Sequence, residues 1–358
     1  MSRQKSSSSI RVGIVGAKAY TAGVLLDLLL AHPNVVIAAL AGRDPEPVRT
    51  SDFFPELRGR LETTPCAGLI EPFDADDMAR RCDAVFLTLP HKAAAETAKA
   101  LYDRDVTVID LSADFRFSDN SLYAQTYGHA HPYPDLNPQV PYALAEIEGR
   151  SLEGQKLVAV PGCYPTSVLI PIIPLLKADL ISTSWGIIAD CKSGVSGAGR
   201  QATDVTHFCA TNESFGAYGI GAHRHRPEIA EKAMEAAGHV VSVAFTPHLV
   251  PMDRGILSTI YVRPTREGIG PAEVHAAWRD AYGHWPLVRV NEGNPRPGTK
   301  AVLRTGFIDI AAYRDNPTGL LILVSALDNL MKGASSQALQ AFNLMHGLPD
   351  ARGILPGV

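Results

Sequence analysis

Residues 11–30, RVGIVGAKAYTAGVLLDLLL, constrain this chain more than any other stretch. A short β-rich run reaches glycines and gives way to leucines at helical spacing, which is a strand–turn–helix start. The glycines fall at Gly13, Gly16 and Gly23 rather than as G-x-G-x-x-G, and Lys18 and Ala19 stand where phosphate-binding loops usually carry Ser or Gly. Two readings follow. Either the turn's amides and the helix N-terminus hold a pyrophosphate, with Gly13, Gly16, Ala17 and Lys18 as cofactor contacts, or the glycines only make the turn.

The next apolar run, NVVIAALAG, ends as LAGRDP, so Arg43 comes first and Asp44 follows. An acid at the end of this strand holds the ribose hydroxyls of NAD, whereas an arginine takes the 2′-phosphate of NADP through paired hydrogen bonds. Arg43 favours NADP, with Lys18 expected to supplement it, and Asp44 leaves NAD open.

Further strands, DAVFLTLPH and VTVIDLS, flank the helical stretch KAAAETAKALYDR. Near-continuous apolar strands alternating with helices imply an α/β Rossmann domain with a mostly parallel sheet. Residues from Asp119 to Glu148, rich in Tyr, Pro, Asn and His, read as irregular. Beyond them SWGIIADCKSG, HVVSVAFTPHLV, GILSTIYVRP, GFIDIAAYR and GLLILVSAL follow in close succession, which implies an antiparallel or mixed sheet in an α+β second domain. The expected division is a disordered tail over 1–9 and a dinucleotide-binding domain over 10–160, rejoined by a helix within 327–358. A catalytic and oligomerisation domain then spans 161–326.

With 358 residues there is room for two cores, and a net charge of −4 without a basic block argues against nucleic acid. MSRQKSSSS has no apolar core behind it to make a secretory signal, and no apolar run is long enough to span a bilayer. The five cysteines form no C-x-x-C pair, so neither a disulfide framework nor a metal site is indicated and a reducing cytoplasm is expected.

One cysteine has a reactive setting. VAVPGCYPTSVLI puts Cys163 between a strand and a helix, where the positive end of the helix raises the thiolate fraction. Thr166 or Ser167 is expected to cap that helix, and Pro171 and Pro174 to kink or interrupt it. A thiolate needs a proton-transfer partner, and AHRHRPEI offers His223 and His225 between Arg224 and Arg226. CKSGVSGAGR supplies Ser193, Gly194 and Gly197 in a loop suited to nesting an anion, with Arg200 at an expected helix start. DLSADFRF puts Arg116 just past a Rossmann strand, where ligands bind.

VAVPGCYPT, SGVSGAGR, HRHRPEI, FTPHLVPMDRGIL and DNLMKGASSQALQAFNLM together resemble the N-acetyl-γ-glutamyl-phosphate reductase family, in that family's order over nearly the whole chain after the tail. The resemblance implies a glyceraldehyde-3-phosphate-dehydrogenase-like catalytic domain and NADPH-dependent reduction of an acyl phosphate in arginine biosynthesis. It assigns attack on the acyl phosphate to Cys163 and the acid/base role to His223. It implies that Ser193, Gly194, Gly197 and Arg200 help bind phosphate or cofactor, and that Asn329 lies near the nicotinamide. Arg116 and His225 are added as substrate contacts from position and charge. A homodimer or homotetramer is implied. The chain departs from the family pattern at Lys18 and Ala19, in YALAE at 142–146, and at Ser336. These departures leave room for a related acyl phosphate, carrier-linked or aspartyl, although the PGCYPT context speaks against the aspartyl enzyme. A non-catalytic NADP-binding sensor is the reading from another class.

Overall fold

The computed structural model describes residues 9–293 and 296–358, so the expected tail, Ser9 apart, lies outside the described residues. The chain divides into two compact units. The first takes the chain to Ser118, then Pro132–Val160 and Ala338–Val358; the second takes Asp119–His131 and Pro161–Gln337.

In the first unit, β1 (Ile10–Val15) leads through the glycine turn into α1 (Tyr20–Ala31), followed by β2 (Val35–Gly42), a short β3 (Val48–Arg49) and β4 (Leu69–Pro72). Then come α2 (Ala75–Arg81), β5 (Ala84–Leu87), α3 (Ala95–Tyr102) and β6 (Thr107–Asp110). The sheet order is β3-β4-β2-β1-β5-β6-β7, with β7 at Leu157–Ala159. All neighbours pair in parallel except β3, which runs antiparallel to β4. This is the doubly wound order, and it reverses between β1 and β5.

Side chains along these strands alternate between two apolar clusters. Val12, Ile14, Ala84 and Phe86 join one with Leu25, Leu26 and Leu29 of α1, while Val15, Val85 and Leu87 join the other with Met78 of α2 and Leu101 of α3. Both faces are therefore buried, which is why the strands read as continuous apolar runs.

The stretch expected to be irregular holds α4 (Asn120–Tyr127) and the short α5 (Ala145–Glu148). Asp119 caps α4 by accepting from the Ser121 amide at 2.7 Å, and Gly128, at φ +76°, ends it. The Tyr, Asn and His content masked these stop signals.

In the second unit, α6 (Cys163–Lys177) is followed by β8 (Ile181–Ser182), β9 (Ile187–Ser193), α7 (Phe208–Thr211), β10 (Gly216–Ala217), α8 (His225–Ala237), β11 (Val243–Leu249) and β12 (Ile256–Pro264). Next are α9 (Pro271–Tyr282), β13 (Val288–Val290), α10 (Thr299–Val302), β14 (Ile308–Asp315) and β15 (Leu320–Leu327). The eight-stranded sheet runs β10-β11-β9-β12-β15-β14-β13, with β8 on β12. It is mixed, because β9 and β11 pair in parallel and β12 runs antiparallel to both β9 and β15. In β9, Ile187, Ala189, Cys191 and Ser193 are buried and alternate with half-buried residues, as a sheet with one covered face requires.

The covering helix is α6, and Pro171 and Pro174 inside it do not interrupt it. Each proline lacks the amide that would reach the carbonyl four residues back, which orphans Ser167 O and Ile170 O. The Ser325 hydroxyl donates to Ser167 O at 2.6 Å, and the Tyr282 hydroxyl donates to Ile170 O at 2.6 Å. Thr166 and Ser167 do not cap the helix. They lie within it, donating back to Gly162 O and Tyr164 O.

The last helical stretch begins as a π-helical turn, Met331–Ser335, and continues as α11 (Ser336–Met345). The return to the first unit falls at Ala338, within this helix, because Leu339, Phe342 and Met345 enter the first unit's core.

Candidate active site

The glycine turn after β1 lies at the strand-order reversal. Gly16 has φ +89°, and a Cβ there would sit 2.7 Å from Thr88 O at the end of β5. That position needs glycine both for its dihedral and for close approach. Gly13 and Gly23 serve packing instead, since a Cβ would fall 2.6 Å from Met78 and 2.3 Å from Phe54. The amides of Gly16 and Ala17, expected to hold phosphate, both donate to Ala41 O, at 2.9 and 3.2 Å. They stitch β1 to β2. The part of the turn suited to an anion is therefore the start of α1, where the N-cap Ala19 supplies no side-chain acceptor and the first turn carries no acid.

At the end of β2, Arg43 is exposed. Lys18 does not stand beside it as a second phosphate ligand: its ammonium pairs with Asp44 Oδ2 at 2.5 Å and lies 4.5 Å from the centre of the Phe53 ring. Arg116 is only 8% exposed, and its guanidinium donates to Val160 O and Leu111 O, each at 2.9 Å. It ties together the ends of β6 and β7. Asp114, two residues before it, accepts from the amides of Lys92, Ala94 and Ala95 and caps α3 from a distance.

In the second unit, Cys163 is the first residue of α6 and is partly exposed. The Gly162 amide just before it donates to the wholly buried Glu228 carboxylate at 2.9 Å, which fixes the helix start to α8. Gly333 of the π-helical turn backs the cysteine so closely that a Cβ would lie 2.8 Å from Cys163 Cβ. Cys66, Cys82 and Cys191 are buried, and burial pushes the Cys82 and Cys191 thiols up to about 12. Cys191 lies within β9, and Cys209 is exposed in α7.

Around the start of α6 stands an aromatic wall. The Tyr164 ring meets His223 at 5.7 Å, His225 at 5.9 Å and Phe245 at 5.2 Å, and its hydroxyl shares a 3.1 Å hydrogen bond with that of Tyr218. Burial pushes the Tyr218 phenol up to about 12. Tyr218 in turn lies 5.5 Å from His223.

The His225 amide donates to His223 Nδ1 at 3.1 Å, so the neutral ring carries its proton on Nε2. Burial, helped by Arg224, lowers His223 to about 4. His225 is 6% exposed and packs between Tyr164 and His223, a setting for positioning rather than direct substrate contact.

The Ser/Gly loop is not an open nest. The amides of Gly194, Val195 and Ser196 donate to the carbonyls of Gly255, Met252 and Asp253. A Cβ on Gly194 would lie 2.5 Å from Asp253 O. Asn329 closes the arrangement, donating to Ser196 Oγ at 3.0 Å and accepting from the Gly255 amide at 2.7 Å. Ser193, Gly194, Gly197 and Asn329 are thus gathered in one place, with Gly197 against Ser193 Oγ and Asn329 Nδ2. No helix begins at Arg200, which is exposed in a bend. Tyr164, Tyr218, Glu228 and Gly333 escaped the sequence reading, although Tyr164 adjoins the cysteine and Tyr218 opens the run to His223.

A doubly wound nucleotide-type sheet in one unit, and in the other a mixed sheet covered by a helix that opens on a thiol, define a dehydrogenase of the semialdehyde class. Family models agree: residues 11–155 match the semialdehyde dehydrogenase NAD binding domain, and residues 163–329 match its dimerisation domain. The chain belongs to the N-acetyl-gamma-glutamyl-phosphate reductase family. It is 44% identical over 346 residues to that reductase from Geobacter sulfurreducens, covering 96% of this chain and 98% of that one. It is also 44% identical over 355 residues to the reductase from Rhodopirellula baltica, covering 98% and 99%. Aspartate semialdehyde dehydrogenase II from Vibrio cholerae shares the fold, with a TM-score of 0.69 at 15% identity over 94% of this chain and 98% of that one.

Proposed function

We propose that the chain reduces N-acetyl-L-glutamyl 5-phosphate to N-acetyl-L-glutamate 5-semialdehyde and inorganic phosphate, with NADPH as reductant. The observation that carries this reading is Cys163 at the first position of α6, next to Tyr164 whose ring meets His223, in a chain 44% identical to reductases of that name. The N-terminal turn of α6 favours the thiolate. Sulfur attacks the acyl carbon, the C–O bond to phosphate breaks, and a thioester remains on Cys163. The start of α1 and Arg43 would hold NADPH, which would supply the hydride. The resulting thiohemiacetal releases the aldehyde as the C–S bond breaks and its electron pair returns to sulfur. His223, a neutral ring, acts through its Nε2–H, which donates to the substrate oxygen and stabilises the tetrahedral oxyanion that forms and collapses. His225 and Tyr164 hold the ring. Ser193, Gly194, Gly197 and Asn329 would contact phosphate or cofactor, and Arg200 is the exposed cation for the leaving phosphate.

The chain acts as a homodimer or homotetramer. The dimerisation-domain match and the exposure of Val205, Phe208, Phe215 and Ile220, at 70%, 76%, 61% and 69%, support that assembly. No described helix is long and apolar enough to cross a membrane, and free thiols suit the reducing cytoplasm.

Cys163→Ser is expected to lower NADPH-dependent turnover of N-acetylglutamyl phosphate by at least about 10³-fold while NADPH binding persists. Full turnover in that variant would show that no covalent intermediate is needed. Replacing N-acetylglutamyl phosphate by aspartyl phosphate in the same assay tests the substrate.

A further inference from the structure

Lys18 stands in the turn after β1 and Asp44 just after β2, and their side chains meet at 2.5 Å. The Lys18 ammonium is also held over the Phe53 ring, at 4.5 Å, and Asp44 Oδ2 folds back to within 3.4 Å of where a Gly42 Cβ would lie. The pair is lodged on two sides and is partly exposed, at 29% and 37%. Asp44 follows the strand end where a carboxylate ordinarily accepts from the ribose hydroxyls of NAD. Left alone, it would oppose a 2′-phosphate placed on the same ribose. Arg43, next to it, is exposed, and a guanidinium can take such a phosphate through paired hydrogen bonds.

We infer that Lys18 is a specificity determinant for the cofactor: its ammonium neutralises Asp44, so that Arg43 takes the 2′-phosphate unopposed and Asp44 is withheld from the ribose hydroxyls of NAD(H). This rests on the NADPH reading above. Lys18 acts on the phosphate through Asp44, which separates it from a lysine that binds phosphate directly. The ammonium also holds the Asp44 carboxyl below its ordinary range, which favours the carboxylate.

The test is equilibrium binding of NADPH, NADH and 2′,5′-ADP to the full chain and to three variants, followed by calorimetry. Lys18→Ser is expected to weaken NADPH and 2′,5′-ADP by about three- to tenfold and to leave NADH equal or tighter. Asp44→Asn is expected to keep NADPH binding. The double variant, Lys18→Ser with Asp44→Asn, is expected to recover NADPH affinity to within about twofold of the parent, because no carboxylate then needs a counter-charge. A double variant as weak as Lys18→Ser would overturn the inference by making Lys18 a direct phosphate ligand. Unchanged NADPH affinity in Lys18→Ser, or equal weakening of NADPH and NADH, would overturn it as well. If the parent chain bound neither dinucleotide, both this inference and the NADPH reading would fall. NADPH binding by the parent with no effect of Lys18 would remove only the inference.

Discussion

At His223 two influences on the imidazole proton act together. Burial and the neighbouring Arg224 lower its affinity for a proton to about 4, and the His225 amide occupies Nδ1. The folded ring is therefore neutral throughout the range in which an ordinary histidine titrates, near 6.5. Between pH 6.5 and 4 the unfolded chain binds this proton and the folded chain does not, so stability falls as pH drops through that window and is unaffected by His223 above it. The acid limb of kcat assigned to His223 is expected near pH 4, with none near 6.5, and His223→Asn is expected to lower kcat by about 10²–10⁴-fold and remove that limb. A pH–rate profile breaking at 6.5 would instead mean a His223 imidazolium paired with the Cys163 thiolate. AHRHRPEI offers His223 and His225 as candidates, but the protonation state of His223 is not legible there. That state depends on Tyr164, Phe245 and Tyr218, which lie 59, 22 and 5 positions away in the chain and meet it only in space.

At the scale of elements, the cysteine is held by two supports that belong to other helices. Glu228 of α8 accepts from Gly162, and Gly333 of the π-helical turn lies against the cysteine itself. Gly333→Ala would place a methyl group 2.8 Å from Cys163 Cβ and 3.3 Å from Leu327 Cδ1, which only displacement can relieve. It is expected to cost about 1–3 kcal/mol of stability and to lower kcat by about 10–100-fold, with NADPH affinity retained. Thermal denaturation and single-turnover kinetics measure the two effects, and wild-type kcat in that variant would mean the cysteine tolerates the shift. The prolines of α6 teach a related point. Their sequence signal is to break a helix, and it is overridden because Ser325 and Tyr282 satisfy the carbonyls they orphan.

For the whole molecule, the first unit is assembled from both ends of the chain. Ala338, Leu339, Ala341, Phe342 and Met345 complete the core built by β1, α1 and β5, with Phe342 at 5.5 Å from Phe86 and Asn343 bonded to His32 at 3.0 Å. A chain ended at Gln337 loses three large buried side chains, each worth about 2–5 kcal/mol, against a total stability of about 5–15 kcal/mol. It is expected to lose NADPH binding and the cooperative unfolding of the first unit, as followed by calorimetry. A truncated chain that bound NADPH normally would show that this unit folds without its C-terminal helix.

Period and composition along the chain were enough to determine the alternating first sheet, a second sheet that is antiparallel or mixed, and the strand–cysteine–helix junction at Cys163. Each of these rests on local patterning, on turn residues, or on which side chains must leave water. Pairings between distant positions were decided by tertiary structure. It spends the Gly16 and Ala17 amides on Ala41, the Arg116 guanidinium on two carbonyls and the Lys18 ammonium on Asp44. A polar group's partner is set by what the folded chain brings within about 3 Å of it, and neighbours in sequence do not report that distance.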